Sequence, residues 1–226
     1  IALANARPCV LLASYCSSER MHRIMVAGAS PIRTPQDLAG RRVGVHFGSS
    51  THGALLLFLA RQNLDPKALT LVNLPQKDLI EALASGAIDA LAASQPTPLL
   101  LPKAVPDCRE VACLSGLGND YPFALVATRA FVEAHPEAVR ALLAGQQAAI
   151  ARINQDVATA AAEVAKATGA PVAVEEETLR ETVWRLRLDD GIRASLAQTG
   201  EFLKAQGKIP RVPDLTAQTR PDLLPR

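Results

Sequence analysis

The chain has 226 residues, of which 49% are hydrophobic, 4% aromatic and 20% charged, and its formal net charge is +2. This balance is typical of a globular protein that buries a sizeable core, as one large domain or two small lobes. The small charge argues against a nucleic-acid partner, for which a basic stripe would be expected. The sequence has no run of about 18 apolar residues, so we expect no membrane insertion of this chain.

Short apolar runs alternate with helix-like segments from Cys9 to Thr128, which predicts alternating strands and helices. The predicted strands are Cys9–Tyr15, Arg23–Ala27, Arg42–Phe47, Leu69–Leu74, Ala87–Ala93, Arg109–Leu114 and Phe123–Thr128. The predicted helices are one turn after Thr34, then Ser49–Gln62, Lys77–Ser85 and Thr97–Ala104. This alternation predicts an α/β architecture.

The last part of the chain is predicted to be helical. A long Ala-rich helix starts at His135, and its apolar stripe, which extends to Val157, indicates core packing and not a cofactor site. Two further helices are predicted over Thr178–Leu188 and Ile192–Gln206, followed by a Pro-rich tail over Pro210–Arg226.

The segment F-G-S-S-T-H-G, residues 47–53, joins a predicted strand to a predicted helix. The first N–H groups of a helix have no intrahelical partner and carry partial positive charge. Together with the hydroxyls of Ser49, Ser50 and Thr51 they form a pocket suited to an anion. A hydroxyl-rich helix start is equally a good cap, and both interpretations stand. The segment is not a P-loop, because the lysine of that motif is missing.

Cysteines and histidines give no metal or cofactor motif. The spacings of Cys9, Cys16, Cys108 and Cys113 fit no metal-ligand pattern, and the four histidines are dispersed. In an oxidising compartment the cysteines permit several disulfide pairings, and buried thiols in strands are the alternative. The pairing stays open, and we expect no cofactor.

The most specific stretch is residues 30–49, S-P-I-R-T-P-Q-D-L-A-G-R-R-V-G-V-H-F-G-S. It resembles the solute-binding proteins of ABC importers, in the branch that binds nitrate, sulfonates, taurine and thiamine precursors. The resemblance covers nearly the whole chain. It implies a small anionic or polar ligand (a sulfonate, nitrate, bicarbonate or a pyrimidine), a permease as partner, and a binding function without catalysis. It also implies a periplasmic or extracytoplasmic location, and no signal peptide is visible in this chain.

The resemblance implies a two-lobe α/β fold of the type II periplasmic-binding-protein kind. In such proteins two crossing strands, here near Met21–Gly28 and Leu117–Thr128, act as a hinge while the lobes close over a ligand. Residues 1–22 are assigned to lobe 1, residues 23–124 to lobe 2 with the anion site, and residues 125–226 to the return strand and C-terminal helices, mainly lobe 1. Ile1–Arg7 resembles the tail of a preceding helix, so we expect a first lobe that is incomplete at its N-terminus.

Three contact points with the ligand follow from the resemblance. The first is the helix start, where it implicates Ser49, Ser50, Thr51 and His52. The second is Gln95, whose amide both donates and accepts, at a place where the sulfonate branch has an aromatic and an acidic residue before the proline. The third comprises Asn119 and Tyr121, where Tyr121 either walls the cleft or belongs to a turn with Gly118-Asn119-Asp120. Trp184 and Arg187 are weaker candidates for the cleft, since a half-buried tryptophan and a helix-surface arginine explain them equally simply.

Two other classes of function stay open. One is a same-fold enzyme of thiamine-pyrimidine or menaquinone biosynthesis. The cysteine-rich motif of the first is absent from this sequence, and Asp120 is the candidate carboxylate for the second. The other is the ligand-sensing domain of a signalling protein. The sequence that flanks this chain would discriminate transport from sensing.

Overall fold

The computed structural model describes residues 3–5 and 7–225. The strands are β1 Cys9–Ser17, β2 His22–Val26, β3 Arg42–Val45, β4 Thr70–Asn73, β5 Ala90–Ser94, β6 Arg109–Cys113, β7 Pro122–Thr128 and β8 Val183–Arg187. The helices are α1 Ser50–Arg61, α2 Leu79–Ala84, α3 Thr97–Leu100, α4 Arg129–Ala134, α5 Pro136–Gln155, α6 Val157–Thr168, α7 Val172–Arg180 and α8 Asp190–Ala205. Within the described residues, no helix has the length and apolar character needed to cross a membrane.

The chain divides into two compact units. The first unit comprises Ile1–Ser18 and Gly118–Arg226, and the second comprises Glu19–Leu117. Strands β2 and β7 lie within the two segments predicted to cross, and they belong to different units. The assignment of residues 1–22, 23–124 and 125–226 to lobes stays a prediction. The predicted helix tail at Ile1–Arg7 falls partly on residues outside the described ones.

The second unit contains a five-stranded sheet in the order β4-β3-β5-β2-β6. Strand β3 is parallel to β4 and β5, and β2 runs antiparallel to β5 and β6. The sheet packs on one apolar cluster whose largest members are Met25, Leu79, Leu83, Ile88, Leu91 and Leu101. Gly44 in β3 makes this packing possible, because a Cβ there would lie 2.6 Å from Cδ1 of Ile88. Because β3 is parallel to both β4 and β5, the carboxyl ends of these three strands meet at one edge of the sheet.

The first unit contains a three-stranded antiparallel sheet in the order β7-β1-β8. Its central strand β1 is buried at eight of its nine positions, as its continuous apolar run predicts. One side chain cluster joins β1 to α4 and α5 through Val10, Leu12, Val132, Val139 and Leu143. This cluster explains the apolar stripe of the long helix as core.

Each strand predicted between Cys9 and Thr128 overlaps an observed one, whereas two predictions in the C-terminal part are wrong. The segment Thr178–Leu188 is not one helix: α7 ends at Arg180, and β8 follows and pairs with β1. Its V-W-R-L-R sequence alternates as a strand does, and the sheet provides the edge that accepts it. The long helix from His135 is interrupted at Asp156, which adopts an extended conformation and caps α6 by accepting a hydrogen bond from the N–H of Thr159.

All four cysteines are free thiols. Cys9 and Cys16 are buried in β1, and burial raises the pKa of the Cys16 thiol to about 12. Cys16 is therefore protonated at neutral pH and unreactive, in agreement with the expectation of buried thiols in strands.

Candidate functional site

The start of α1 lies at the edge where the parallel strands of the second unit end. After β3 the chain turns through Gly48, whose φ of 78° lies in the left-handed region that glycine adopts without strain. Ser49 is the N-cap: its Oγ accepts a hydrogen bond from the N–H of His52 (3.2 Å). The same hydroxyl donates to the carbonyl oxygen of His46 (2.6 Å). The Ser49 side chain is thus engaged in capping, as the alternative interpretation predicts.

Thr51, the second residue of α1, is held against the start of β2. Its Oγ1 lies 3.0 Å from Nδ1 of His22. Only 4% of Thr51 and 0% of His22 are exposed. Burial lowers the pKa of His22 to about 4, so its ring is neutral at neutral pH. The contact fixes the Thr51 hydroxyl between the helix start and the sheet.

His52 holds the turn that precedes the helix. Its Nδ1 accepts a hydrogen bond from the N–H of Gly48 (3.2 Å), and its ring is stacked on that of Phe47, with ring centroids 4.7 Å apart and planes 7° from parallel. Because Nδ1 is the acceptor, the neutral ring carries its proton on Nε2. Burial lowers the pKa of His52, which favours this neutral form.

The hydroxyl of Ser50 and the first N–H groups of α1 are the donors available to a ligand, since the side chains of Ser49, Thr51 and His52 have hydrogen bonds within the protein. Helix geometry leaves the N–H groups of Ser50 and Thr51 without intrahelical acceptors. Ser50 is exposed, and the first turn of α1 contains no acidic residue. These donors lie at the positive end of a 12-residue helix. The arrangement can bind an anion through neutral groups, while the ligand contacts of Ser49, Thr51 and His52 stay predictions.

Gln95 follows β5, the neighbour of β3 in the sheet, and so lies at the same edge as the start of α1. Its N–H donates to the carbonyl oxygen of Met21 (2.9 Å), and its peptide bond to Pro96 is cis. A polar network surrounds this strand end. The amide of Gln76 donates to Oγ1 of Thr97 (2.9 Å) and accepts from Oγ of Ser94 (3.1 Å).

Sequence reasoning missed Asn73 and Gln76 in this edge. Oδ1 of Asn73, at the end of β4, accepts from the N–H of Phe47 (3.0 Å). Asn73 lies near the end of the predicted strand Leu69–Leu74, and Gln76 follows that strand. Strand β4 is parallel to β3. Because carboxyl ends of parallel strands meet at one edge, their polar character after an apolar strand was the available signal.

Asn119 and Tyr121, the third predicted contact point, lie in the first unit. The amide of Asn119 donates to the carbonyl oxygen of Ser195 (3.0 Å) and to Oγ1 of Thr199 (3.2 Å) in α8. Its Oδ1 accepts from the N–H of Tyr121 (2.8 Å), which has a φ of 46°. These contacts make the segment a structured turn against α8. A ligand role for the two residues stays a prediction.

The remaining candidates in the first unit have internal partners. Asp120 forms an ion pair with Arg187 (3.0 Å), whose guanidinium also donates to Oγ of Ser17 (3.2 Å). The indole N–H of Trp184 donates to the carbonyl oxygen of Leu179 (3.0 Å). Over residues 3–5 and 7–225, no group of three or more His, Cys, Asp or Glu side chains is arranged to hold a metal ion.

Comparison with known proteins identifies the fold and the family of this chain. The alkanesulfonate-binding protein SsuA from Xanthomonas axonopodis pv. citri, solved bound to MOPS, superposes with a TM-score of 0.80 at 26% identity, over 97% of this chain and 76% of that chain. The predicted α/β fold of a type II periplasmic binding protein is thereby confirmed. The chain matches the NMT1/THI5-like family over residues 1–160, and it belongs to that family.

One curated relative and one further solved structure show how far the similarity extends. The taurine-binding periplasmic protein of Escherichia coli (strain K12) is 29% identical over 195 residues, which are 80% of this chain and 60% of that protein. This chain thus spans less than two thirds of the length of that relative. The desulfurization enzyme DSZB superposes with a TM-score of 0.75 at 18% identity, over 96% of this chain and 78% of that chain. The fold is therefore shared by binding proteins and an enzyme.

Proposed function

We propose that this chain is the solute-binding component of an ABC importer and captures a small anion at the start of α1. The observation that carries the proposal is the exposed Ser50 beside the first N–H groups of α1, at the carboxyl edge of the parallel strands. Family membership and the name of the taurine-binding relative support a ligand that contains an oxyanion. The ligand is then delivered to a permease, and the chain works outside the cytoplasm, as its periplasmic relatives do.

Neutral donors provide the affinity in this proposal. Residues 47–53 contain no Lys or Arg, and burial lowers the pKa of both His22 and His52. Hydrogen bonds from neutral N–H and O–H groups to an ionised acceptor are stronger than those between neutral groups. The helix dipole adds to this preference, so the site favours anions over neutral or cationic solutes.

The side chains that could serve in catalysis support a binding function better than an enzymatic one. Asp120, the candidate carboxylate for an enzyme, is in an ion pair with Arg187. The Cys16 thiol, with its raised pKa, is not a nucleophile at neutral pH. The likeness to DSZB, at 18% identity, extends to the fold alone.

A substitution of Ser50 by Asp tests the site. A carboxylate at the first position of a helix leaves the helix as stable or more stable, but it places a negative charge where the ligand anion would bind. We expect affinity for taurine, methanesulfonate or nitrate, whichever binds the unaltered protein most tightly, to fall roughly 10- to 100-fold. Isothermal titration calorimetry measures the affinity, and thermal unfolding confirms the fold.

The matched control is Ala158→Asp, which adds the same charge in the first turn of α6 in the first unit. This variant should bind as the unaltered protein does. The proposal is wrong if no anion in the panel binds, or if Ser50→Asp binds as tightly as the unaltered protein. Tight binding of a neutral pyrimidine with no anion response would favour a thiamine-precursor ligand instead.

A further inference from the structure

Phe47 is an exposed aromatic ring beside the start of α1. The strand before it is buried at Val43, Gly44 and Val45, yet 40% of Phe47 remains exposed. Single exposed apolar side chains are common on protein surfaces and need no explanation. What distinguishes Phe47 is how it is held and what lies next to it.

Two contacts fix Phe47 in place. Its N–H donates to Oδ1 of Asn73 (3.0 Å), which ties its backbone to the end of β4. One face of its ring is stacked on the ring of His52, 4.7 Å away between centroids. His52 is only 5% exposed and accepts a hydrogen bond from Gly48, so it provides a rigid support. A ring held in this way loses little conformational freedom when a ligand contacts it.

The stacking also gives the position of the ring relative to the helix. His52 lies in the first turn of α1, two residues after Ser50. Its ring reaches back to the N–H of Gly48 (3.2 Å) in the turn that precedes Ser50, so the Phe47 ring stacked on it lies beside that turn. The apolar ring and the helix start with its polar donors thus adjoin the same turn, and a ligand with an anionic end and an apolar body matches both.

We propose that Phe47 is a specificity-determining residue and that the ligand is an organic anion with a flat apolar group, such as an arenesulfonate. This inference rests on the proposed function, whose anion site it uses. Aromatic rings in offset-stacked or edge-to-face contact gain free energy beyond the area that they bury. An inorganic oxyanion or a small alkanesulfonate satisfies the helix start alone and gains no free energy from the ring, so the ring favours the aromatic anion over these ligands.

The experiment compares benzenesulfonate, methanesulfonate and nitrate by calorimetry on the unaltered chain and on Phe47→Ala. We expect benzenesulfonate to bind more tightly than methanesulfonate, and Phe47→Ala to weaken benzenesulfonate about three- to tenfold. The affinities for methanesulfonate and nitrate should change less than about twofold. Phe47→Leu keeps an apolar side chain without the ring, so its affinity for benzenesulfonate should lie between those of the unaltered chain and Phe47→Ala. It provides a second variant if Phe47→Ala does not fold.

Phe131→Ala is the matched control. Phe131 is 48% exposed, and its ring also lies beside a histidine, with 5.1 Å between the ring centroids of Phe131 and His135. It belongs to the first unit and not to the second, which contains Phe47. The variant Phe131→Ala should bind all three anions as the unaltered chain does. If anions bind but the ratio of benzenesulfonate to methanesulfonate affinity is the same with and without Phe47, this inference is overturned and the proposed function stands. If none of the anions binds the unaltered chain, both fall.

Discussion

At the start of α1, two buried histidines act as neutral hydrogen-bond partners. His22 reaches Thr51 from β2, and His52 reaches back to Gly48 from within the helix. A charged imidazolium at either place would be buried, and burial disfavours the charged form, which lowers the pKa of both rings. The lowered pKa values therefore follow from the same geometry that builds the turn.

The stability of the protein should consequently depend on pH through His22. The ring has a pKa of about 4 in the folded chain and the ordinary 6.5 when unfolded. Between these values the unfolded state binds more protons, so the free energy of unfolding falls as the pH is lowered from 6.5 to 4, by about 3 kcal/mol. Urea unfolding at a series of pH values measures this slope, and His52, whose pKa is lowered too, acts in the same direction.

The variant His22→Asn isolates this effect, because a carboxamide keeps a hydrogen-bonding group near the position of Nδ1 and does not titrate. The slope over this pH range should become much smaller, even if the variant is less stable at pH 7. His135, which lies beside Phe131 in the first unit, offers the control substitution His135→Asn. An unchanged slope in His22→Asn would show that His22 is not the group responsible.

At the scale of single residues, the sequence indicates one residue of each contact at the start of α1 but not its partner. The G-S-S-T run predicts a capped helix start because hydroxyls bond to free N–H groups within a few residues. The partner of Thr51 is His22, at a distance of 29 residues along the chain, and the partner of Phe47 is Asn73. Such pairs depend on which strands become neighbours, and no local pattern contains that information.

At the scale of elements, local signals were sufficient where strand and helix patterns differ clearly. The apolar runs of β1 and β3 are continuous and short, and they form buried strands as expected. The segment V-W-R-L-R, predicted as part of a helix, is a strand that pairs with the edge of β1. Its alternation is compatible with a strand, but a run of five residues beside a helix does not show that β1 has an edge to accept it.

An ion pair joins β3 to the turn before β5, and its removal should weaken the parallel pairing. The carboxylate of Asp89 accepts from the N–H of Arg42 (2.8 Å) and from its guanidinium (2.7 and 3.1 Å). Asp89→Asn should lower the free energy of unfolding by about 1 kcal/mol, near the upper end for exposed pairs, and by less in high salt. Urea denaturation with and without about 1 M salt, at which the Debye length falls from about 8 to about 3 Å, measures both effects.

The pH dependence of this pair has a defined sign. Hydrogen bonds from the Arg42 side chain, opposed in part by burial and aided by the Arg42 N–H, hold the pKa of Asp89 below its ordinary value of 3.8. Its contribution to stability is therefore present above that value and is lost as the pH falls below it.

The control for Asp89→Asn is Glu176→Gln, which removes an exposed ion pair with Arg180 within α7 and should lower the free energy of unfolding by less. Equal losses in the two variants would contradict a specific role for Asp89.

At the scale of the whole molecule, the two units differ in how the chain forms them. The first unit draws on both ends of the sequence, whereas the second is one continuous stretch, Glu19–Leu117. All five strands of the second sheet and its apolar cluster lie within that stretch. Its two ends are also tied together, because Oε1 of Glu19 accepts from the N–H of Gly116.

Residues 19–117 should therefore fold as a separate chain and keep the anion site at the start of α1. We expect a single cooperative unfolding transition with a free energy on the order of 5 kcal/mol, measured by circular dichroism in urea. A fold with native packing must also respond to Gly44→Ala, because the new Cβ would meet Ile88 at 2.6 Å and should cost about 1–3 kcal/mol. Gly86→Ala would be a poor comparison because of its positive φ, so Ser85→Ala on the exposed end of α2 is the control. A fragment that unfolds without cooperativity, or one indifferent to Gly44→Ala, would show that the second unit needs the first in order to form its core.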